Sequence, residues 1–208
     1  MSDISISKLR QYETCPRAYF FKYELGIEGE KSEALQFGKE VHEALSDFHK
    51  KQVLPEDPIL KLYLDEYAKY FSQEYEESEY WFEVPLLGLN LRGYIDLVKD
   101  GWIIEYKTAS RKSRWNQDVV DSDIQGTGYA YAYRKTFNKK EKGIKYIIFL
   151  KKKKPEILVF DTTRNDSHFR YLERWGKRIW GHVQKERFHP TPGIHCRWCS
   201  WRGVCDKS

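Results

Sequence analysis

Two short stretches of the chain alternate apolar and polar residues in the manner of half-buried strands. They are residues 91–98, Leu-Arg-Gly-Tyr-Ile-Asp-Leu-Val, and residues 102–107, Trp-Ile-Ile-Glu-Tyr-Lys. The intervening Lys99-Asp100-Gly101 predicts a tight hairpin turn, because an Asp-Gly pair supplies the backbone angles that such turns need. Side chains alternate faces along a strand, so Glu105 and Lys107 are expected to point the same way.

The hairpin is expected to bring Asp96, which shares a face with Tyr94, beside Glu105. Two carboxylates next to the ammonium group of Lys107 would form a site for a divalent metal and a phosphate. Hydrolysis of a phosphodiester needs such a site, because water must be positioned and the charge on the phosphoryl oxygens neutralised. The alternative is a surface ion pair between Glu105 and Lys107 beside an unrelated aspartate. The apolar strands around these acids favour the site.

The rest of the pattern predicts a mixed sheet flanked by helices, an α/β (α+β) fold. Strands are expected at residues 80–87, 90–98, 102–108, 145–150 and 156–160. Helices are expected at about residues 7–13, 16–23, 33–51, 121–137 and 165–187, and another through Leu60, Leu64, Tyr67 and Phe71.

Length bounds the architecture, since 208 residues suffice for one domain with a sizeable core. We therefore predict a single domain over residues 1–208. A membrane helix would need about 18 consecutive apolar residues, and the sequence has no such run. The first residues lack the basic start and apolar stretch of a secretory signal. The sequence thus predicts a cytoplasmic protein (in the host cytoplasm if viral) that does not enter a membrane and keeps its thiols reduced.

A formal net charge of +5 fits a nucleic-acid partner. The chain has 7 Trp and 15 Tyr, and aromatic rings among lysines and arginines can stack on unpaired bases. Most of these rings are nevertheless expected in the core. The run Lys151–Lys154, followed by Pro155, predicts a solvated turn between two strands, with a contact to a DNA backbone as the alternative.

Four cysteines occur, three of them close together near residue 200 and one far upstream. They are Cys15, Cys196, Cys199 and Cys205. Disulfides are disfavoured in a reducing compartment, and structural zinc sites commonly show two Cys-x2-Cys pairs. The uneven spacing favours an iron–sulfur cluster over zinc. The other possibility is four independent thiols, against which their clustering beside Trp198 and Trp201 argues. Either metal would tie the two ends of the chain together.

The motifs occur in an order that resembles the RecB-like branch of the PD-(D/E)XK nuclease superfamily. In sequence order they are Cys15-Pro16, Gly38-x3-His42-x2-Leu45, Gly93-x2-Asp96, Glu105-x-Lys107, Gln125-x3-Tyr129 and the cysteine triplet. Within that branch the chain is similar to members with a C-terminal iron–sulfur cluster: the nuclease domain of AddB-type helicase–nucleases, stand-alone viral exonucleases and CRISPR-associated RecB-like nucleases. The resemblance spans residues 5–205, and its specificity lies in the order of the motifs. The Pro-Asp of the superfamily name is replaced by Ile95-Asp96.

The resemblance implies a restriction-endonuclease-like core and a role for each matching residue. It assigns His42, Asp96 and Glu105 as ligands of Mn2+ or Mg2+, with the backbone carbonyl of Tyr106 as a fourth. Lys107 would orient the attacking water or stabilise charge in the transition state. Two further residues match the Gln-x3-Tyr signature, and spacing of four places them on one helix face, where they can reach DNA or the active site. They are Gln125 and Tyr129.

The same resemblance assigns the four cysteines as ligands of a 4Fe-4S cluster. Residues 1–25 and 189–208 would form its lobe. Outside the motif context, His42 would be an ordinary helix histidine, and Gln125 and Tyr129 would be surface and core residues.

The function implied is a metal-dependent DNA nuclease, and most specifically a single-stranded DNA exonuclease of replication, recombination or repair that leaves a 5′-phosphate. A CRISPR-adaptation nuclease that trims spacer precursors is an alternative within the same class. Two other classes are a catalytically silent DNA-binding module and a zinc-stapled scaffold. The intact set of Asp96, Glu105 and Lys107 argues against the silent module.

Overall fold

The computed structural model describes residues 3–30, 32–66 and 77–206, which fold as a mixed sheet flanked by helices. The strands are β1 (Asp3–Ile4), β2 (Glu77–Leu86), β3 (Leu89–Lys99), β4 (Trp102–Ala109), β5 (Gly143–Leu150) and β6 (Glu156–Thr162). The helices are α1 (Ile6–Thr14), α2 (Pro16–Tyr19), α3 (Glu33–Lys51), α4 (Pro58–Glu66), α5 (Gln117–Ser122), α6 (Ile124–Phe137), α7 (Asp166–Val183) and α8 (Arg202–Cys205). A π-helical turn at Phe20–Glu24 continues α2, and 3-10 turns lie at Lys112–Arg114 and Ile194–Trp198. The predicted α/β fold class is confirmed.

The predicted hairpin between β3 and β4 is a two-residue turn. Asp100 and Gly101 both have positive φ angles, 50° and 82°, and Lys99 pairs directly with Trp102. Two successive positive φ angles match the right-handed twist of the flanking strands, which is why Asp-Gly is favoured at this position. The turn therefore fixes the register that joins the two strands of the candidate site.

The sheet splits along one edge of β3. β2 runs antiparallel to β3 from Leu89 to Val98 and occupies one edge. The other edge is shared, because β1 pairs in parallel at residues 90–91 and β4 pairs antiparallel at residues 97–99. Residues 92–96 of β3 lie between those two pairings. Beyond the split β4 follows β5 in parallel, and β5 pairs antiparallel with β6.

Helices bury both faces of the sheet. On one face α1, α6 and α7 pack against a core that contains Leu91, Ile95 and Tyr146. On the other face α3 and α4 pack against a core that contains Leu97 and Ile104. Many aromatic rings belong to these cores, as their number predicted: Tyr12, Tyr19, Tyr63, Phe82, Tyr106, Tyr133, Phe149 and Trp175 are all buried.

The helix predicted at about residues 121–137 is present as α6, but its predicted start is wrong, because α5 ends at Ser122 and α6 begins at Ile124. Asp123 between them has extended backbone angles and caps α6, its carboxylate accepting from the N–H of Gln125 at 3.1 Å. The buried guanidinium of Arg164 stabilises the break between α5 and α6 by donating to the carbonyls of Val120 and Asp123. A partner 41 residues away thus overrides a helical pattern that is continuous in the sequence.

The other elements agree with the prediction apart from their ends. α7 ends at Val183, four residues early, and Glu186 then takes a left-handed φ of 53° that redirects the chain. The helix predicted through Leu60, Leu64, Tyr67 and Phe71 is present as α4. Its last two residues, Tyr67 and Phe71, lie outside the described residues. Lys151–Lys154 are exposed between β5 and β6, which confirms the solvated turn. Among the described residues, no helix is both long enough and apolar enough to cross a membrane.

Candidate active site

Asp96, Glu105 and Lys107 meet where the sheet splits. The ammonium group of Lys107 donates to Oε1 of Glu105 and, at 2.7 Å, to Oε1 of Gln125. The carboxylate of Asp96 on β3 bridges to β4 where the two strands separate, because its Oδ2 accepts from the backbone N–H of Tyr106 at 2.8 Å. This N–H would otherwise lack a partner on β3, and its hydrogen bond orients the Asp96 side chain.

The carboxylates of Asp96 and Glu105 lie on opposite faces of the sheet at the point where β3 and β4 separate. The Asp96 side chain points toward α3, where its Oδ1 lies 3.3 Å from Nδ1 of His42. Glu105 turns to α6, as its contact with Gln125 shows. A Cβ on Gly38 would lie 3.1 Å from the hydroxyl of Thr108, so the small residue lets α3 approach β4. This close approach explains why glycine precedes histidine by one helical turn in the motif.

Gln125 and Tyr129 share one face of α6, as their spacing predicted. The amide nitrogen of Gln125 donates to Oε1 of Glu105 and to the hydroxyl of Tyr129, both at 2.8 Å. Since its amide oxygen accepts from Lys107, one side chain orients both members of the Glu105–Lys107 pair. The structure thus brings four predicted residues, Glu105, Lys107, Gln125 and Tyr129, into one hydrogen-bonded group beside β4.

Burial and charge set the protonation preferences of the site. Burial and the nearby charge of Asp96 raise the pKa of Glu105, and the attraction of Lys107 offsets only part of this rise. Burial lowers the pKa of Lys107, but the charge and hydrogen bond of Glu105 outweigh it, so the net shift is upward. Burial and the charges of Glu105 and Asp96 raise the pKa of Tyr129, which keeps its hydroxyl protonated.

The donor set fits a hard divalent cation. Oε2 of Glu105 is buried without a hydrogen-bond partner, and such an oxygen is costly unless a cation or another donor satisfies it. Burial lowers the pKa of His42, but the hydrogen bond and charge of Asp96 and the charge of Glu105 raise it overall. Over residues 3–30, 32–66 and 77–206, no three His, Cys, Asp or Glu side chains are gathered closely enough to form a ready-made ion cage. The Asp96–His42 contact takes up ligand atoms that a bound ion would use.

Sequence reasoning missed two residues that support this group, Arg10 and Arg164. Arg10 on α1 donates to Asp123 at 3.3 Å and approaches Oε1 of Gln125 at 3.5 Å. Arg164 is buried and fixes the α5–α6 junction from which Gln125 projects. Their partners lie 41 to 115 residues away, so no local spacing could have identified them.

The four cysteines surround one cavity of about 330 Å3, as their predicted clustering requires. Burial raises the pKa of the Cys205 thiol, and so do the nearby thiols of Cys15 and Cys199. His195, which no motif identified, lines the same cavity, and its Nε2 is buried without a hydrogen-bond partner.

Hydrogen bonds close this cysteine region onto the helices that begin the chain. The indole N–H of Trp201 donates to the carbonyl of Ile27 at 2.8 Å, and the N–H of Glu30 donates to the carbonyl of Ser200 at 2.9 Å. A Cβ on Gly29 would lie 2.6 Å from the side chain of Ser200, so the two segments touch where only glycine fits. The two ends of the chain are therefore in direct contact.

A mixed sheet that parts at two carboxylates and a lysine gathers the groups that metal-assisted hydrolysis of a phosphodiester needs. The sequence profile of the PD-(D/E)XK nuclease superfamily matches residues 3–78 and 56–206. The chain therefore belongs to the PD-(D/E)XK nuclease superfamily. This confirms the predicted superfamily and its restriction-endonuclease-like fold, and members of the superfamily use divalent metals such as Mg2+ or Mn2+.

Solved structures share this fold at low sequence identity. A putative exonuclease from Eubacterium rectale superimposes with a TM-score of 0.61 at 17% identity, over 95% of this chain and 87% of that one. SSO0001 superimposes with a TM-score of 0.59 at 13% identity, over 99% and 86%. The alkaline exonuclease LHK-Exo from Laribacter hongkongensis gives 0.52 at 11%, over 88% and 89%. No protein with a curated description matches the chain.

Proposed function

We propose that the protein is a divalent-metal-dependent deoxyribonuclease of the RecB-like branch that degrades single-stranded DNA from an end. The observation that carries this proposal is the position of Lys107, whose ammonium group contacts Glu105 and Gln125 at the split that also holds Asp96. A partly buried ammonium group beside a buried carboxylate suits a reaction in which negative charge grows on phosphoryl oxygens.

We assign each residue a role that its contacts support. Asp96 and Glu105 would supply carboxylate oxygens to the divalent ion, and His42 and the Tyr106 carbonyl would complete the proposed ligand set. Lys107 orients the attacking water or stabilises charge on the scissile phosphate. Gln125 keeps Lys107 and Glu105 in place by hydrogen-bonding to both of them. The hydroxyl of Tyr129 accepts a further hydrogen bond from the Gln125 amide and so fixes its orientation.

The divalent ion, Mn2+ or Mg2+, would lower the pKa of a water and neutralise the phosphate charge. The protein's own contribution is a preorganised lysine beside a buried carboxylate, which costs no rearrangement at the moment of reaction. The expected product is a 5′-phosphate. The context we propose is replication, recombination or repair, with trimming of CRISPR spacer precursors as the alternative.

One observation supports an end-dependent action, and another supports a nucleic-acid substrate. The similar structures include an alkaline exonuclease and a putative exonuclease, and the chain carries a net charge of +5 that favours a polyanion. Binding to DNA should weaken as salt rises, because phosphate contacts release counterions.

The experiment is digestion of end-labelled linear and intact circular single strands, with a linear duplex alongside, in Mn2+, Mg2+ or EDTA. We expect loss of the linear single strand with either metal, with manganese at least as effective as magnesium. The circle should be spared, and EDTA should stop the reaction. Equal rates on circle and line would replace the exonuclease assignment with an endonuclease. Absence of any cleavage by folded protein would leave the silent DNA-binding module as the better description.

We also propose that Cys15, Cys196, Cys199 and Cys205 hold a 4Fe-4S cluster in a lobe formed by residues 1–25 and 189–208 of one nuclease domain. The support is one cavity of about 330 Å3 shared by all four thiols. The volume of this cavity and the uneven spacing of the cysteines support a polynuclear cluster over one zinc ion.

A further inference from the structure

Two exposed aromatic rings lie beside the candidate active site on neighbouring strands. Trp81 on β2 and Tyr94 on β3 are register partners, and their ring centroids are 4.8 Å apart. Trp81 is 43% exposed and Tyr94 57% exposed. Large rings are mostly placed in this protein's cores, so a contacting pair of exposed rings marks a surface built for contact with something else.

The pair shares a strand face with a proposed metal ligand. Tyr94 and Asp96 are two residues apart on β3, so their side chains leave the same face about 7 Å apart. Stacked bases are spaced by about 3.4 Å along a strand. A DNA strand with its scissile phosphate at Asp96 would therefore bring a base one or two nucleotides away onto the rings.

We infer that Trp81 and Tyr94 form a stacking platform for the bases of single-stranded DNA next to the cleavage site. This inference rests on the proposed function and deepens it, because stacking requires unpaired bases. A ring face accepts any base, so the platform would favour single strands over duplex without selecting a sequence. Lys107 at the split supplies positive charge for the adjoining phosphate.

The test measures DNA binding in EDTA, where hydrolysis does not interfere. The probes are a labelled oligodeoxythymidylate of about ten nucleotides, within the site sizes of single-strand binders, and a blunt duplex of equal length. Trp81→Ala and Tyr94→Ala should each weaken binding of the single strand by about 5- to 150-fold, the range that base stacking implies. The slope of log affinity against log salt should not change, since no phosphate contact is lost.

Two kinds of control variant test whether weaker binding comes from the loss of a ring at this particular surface. Trp81→Phe and Tyr94→Phe retain a ring and should bind within about twofold of wild type. Trp198→Ala removes a ring that is 69% exposed in the cysteine region and should leave the affinity unchanged. Quenching of tryptophan fluorescence by the oligonucleotide should shrink in Trp81→Phe, which assigns the signal to that ring.

The outcomes separate this inference from the proposed function. Wild-type affinity in both alanine variants, or equal losses on duplex and single strand, would overturn the platform even if the enzyme cleaves DNA. A dimer in sedimentation that Trp81→Ala converts to monomer would also overturn it and assign the surface to self-association. Ring-dependent binding by a protein that cleaves no DNA would uphold the platform and refute the nuclease.

Discussion

The amide of Gln125 lies between the two charged groups of the site, accepting from Lys107 at 2.7 Å and donating to Glu105 at 2.8 Å. One uncharged side chain thus faces a cation with its oxygen and a carboxylate with its nitrogen. The amide is satisfied in only one orientation, so it locks the pair in place without altering the net charge.

Gln125→Met should keep the shape of the helix face while removing the hydrogen bonds to Lys107, Glu105 and Tyr129. We expect cleavage under single-turnover conditions to fall by about 10- to 100-fold, with a stability loss of about 1 to 2 kcal/mol. Gln36→Met on α3 is the matched control, because the exposed Gln36 side chain donates to Glu40 at 2.9 Å, and it should retain the full rate. A wild-type rate in Gln125→Met would remove the glutamine from the catalytic arrangement.

Lys107→Ala and Asp96→Asn should abolish cleavage in folded protein that still binds DNA. Loss of a positioned charge at the phosphoryl oxygens costs at least about 100-fold in rate. Lys39→Ala, an exposed lysine paired with Glu43 on α3, should cleave normally. Circular dichroism and oligonucleotide binding verify folding. A folded Lys107→Ala variant with normal turnover would contradict the role given to the lysine.

Arg164→Met should destabilise the protein, because it leaves the carbonyls of Val120 and Asp123 without their buried donor. The expected loss is about 3 kcal/mol in urea unfolding. The α5–α6 junction, from which Gln125 projects, should loosen, so cleavage should fall although Arg164 itself is buried. Arg174→Met on the exposed side of α7 provides the comparison and should be neutral. Equal stability of the two variants would show that the junction does not depend on Arg164.

Cys199→Ala should remove the brown colour and visible absorption of anaerobically purified protein and lower its Tm. Wild type should contain about four iron and four sulfide per chain. Cleavage should decrease only in proportion to unfolding, because hydrolysis needs no electron transfer. Stoichiometric zinc without iron in anaerobic wild type would refute the cluster and leave the nuclease proposal intact.

The N-terminus of α7 should weaken in mild acid. Burial and the charge of Arg164 lower the pKa of His168, whose Nδ1 accepts from the N–H of Asn165 in a capping box. A depressed pKa means that this stabilisation is present above the unfolded-state value of about 6.5 and is lost as pH falls through the folded value. Wild-type stability should therefore drop between about pH 7 and pH 5 by up to about 1 kcal/mol.

His168→Gln tests that prediction, because glutamine fills the same capping position and does not titrate. Its Tm should depend less on pH than the wild-type Tm over the same interval. An unchanged pH dependence would assign the acid sensitivity to other groups.

Local patterns in the sequence predicted most of the fold. Alternation and the Asp100-Gly101 pair located β3, β4 and their turn, because these features depend on neighbouring residues alone. The break at Asp123 could not be found in this way, since Arg164 imposes it through tertiary contacts. The sequence also placed Asp96 beside Glu105 without showing that they approach from opposite faces, which follows from the split of the sheet.

The contact between the two ends of the chain has a consequence for the order of events during synthesis. The indole of Trp201 bonds to Ile27, and the hydroxyl of Tyr12 donates to the carbonyl of Arg187 at 2.5 Å. The first helices can therefore complete their packing only after residue 201 has left the ribosome. Contacts of such large sequence separation form slowly. Until then Tyr12 and Ile27 lack these late partners, and the nascent chain is most exposed to aggregation in this interval.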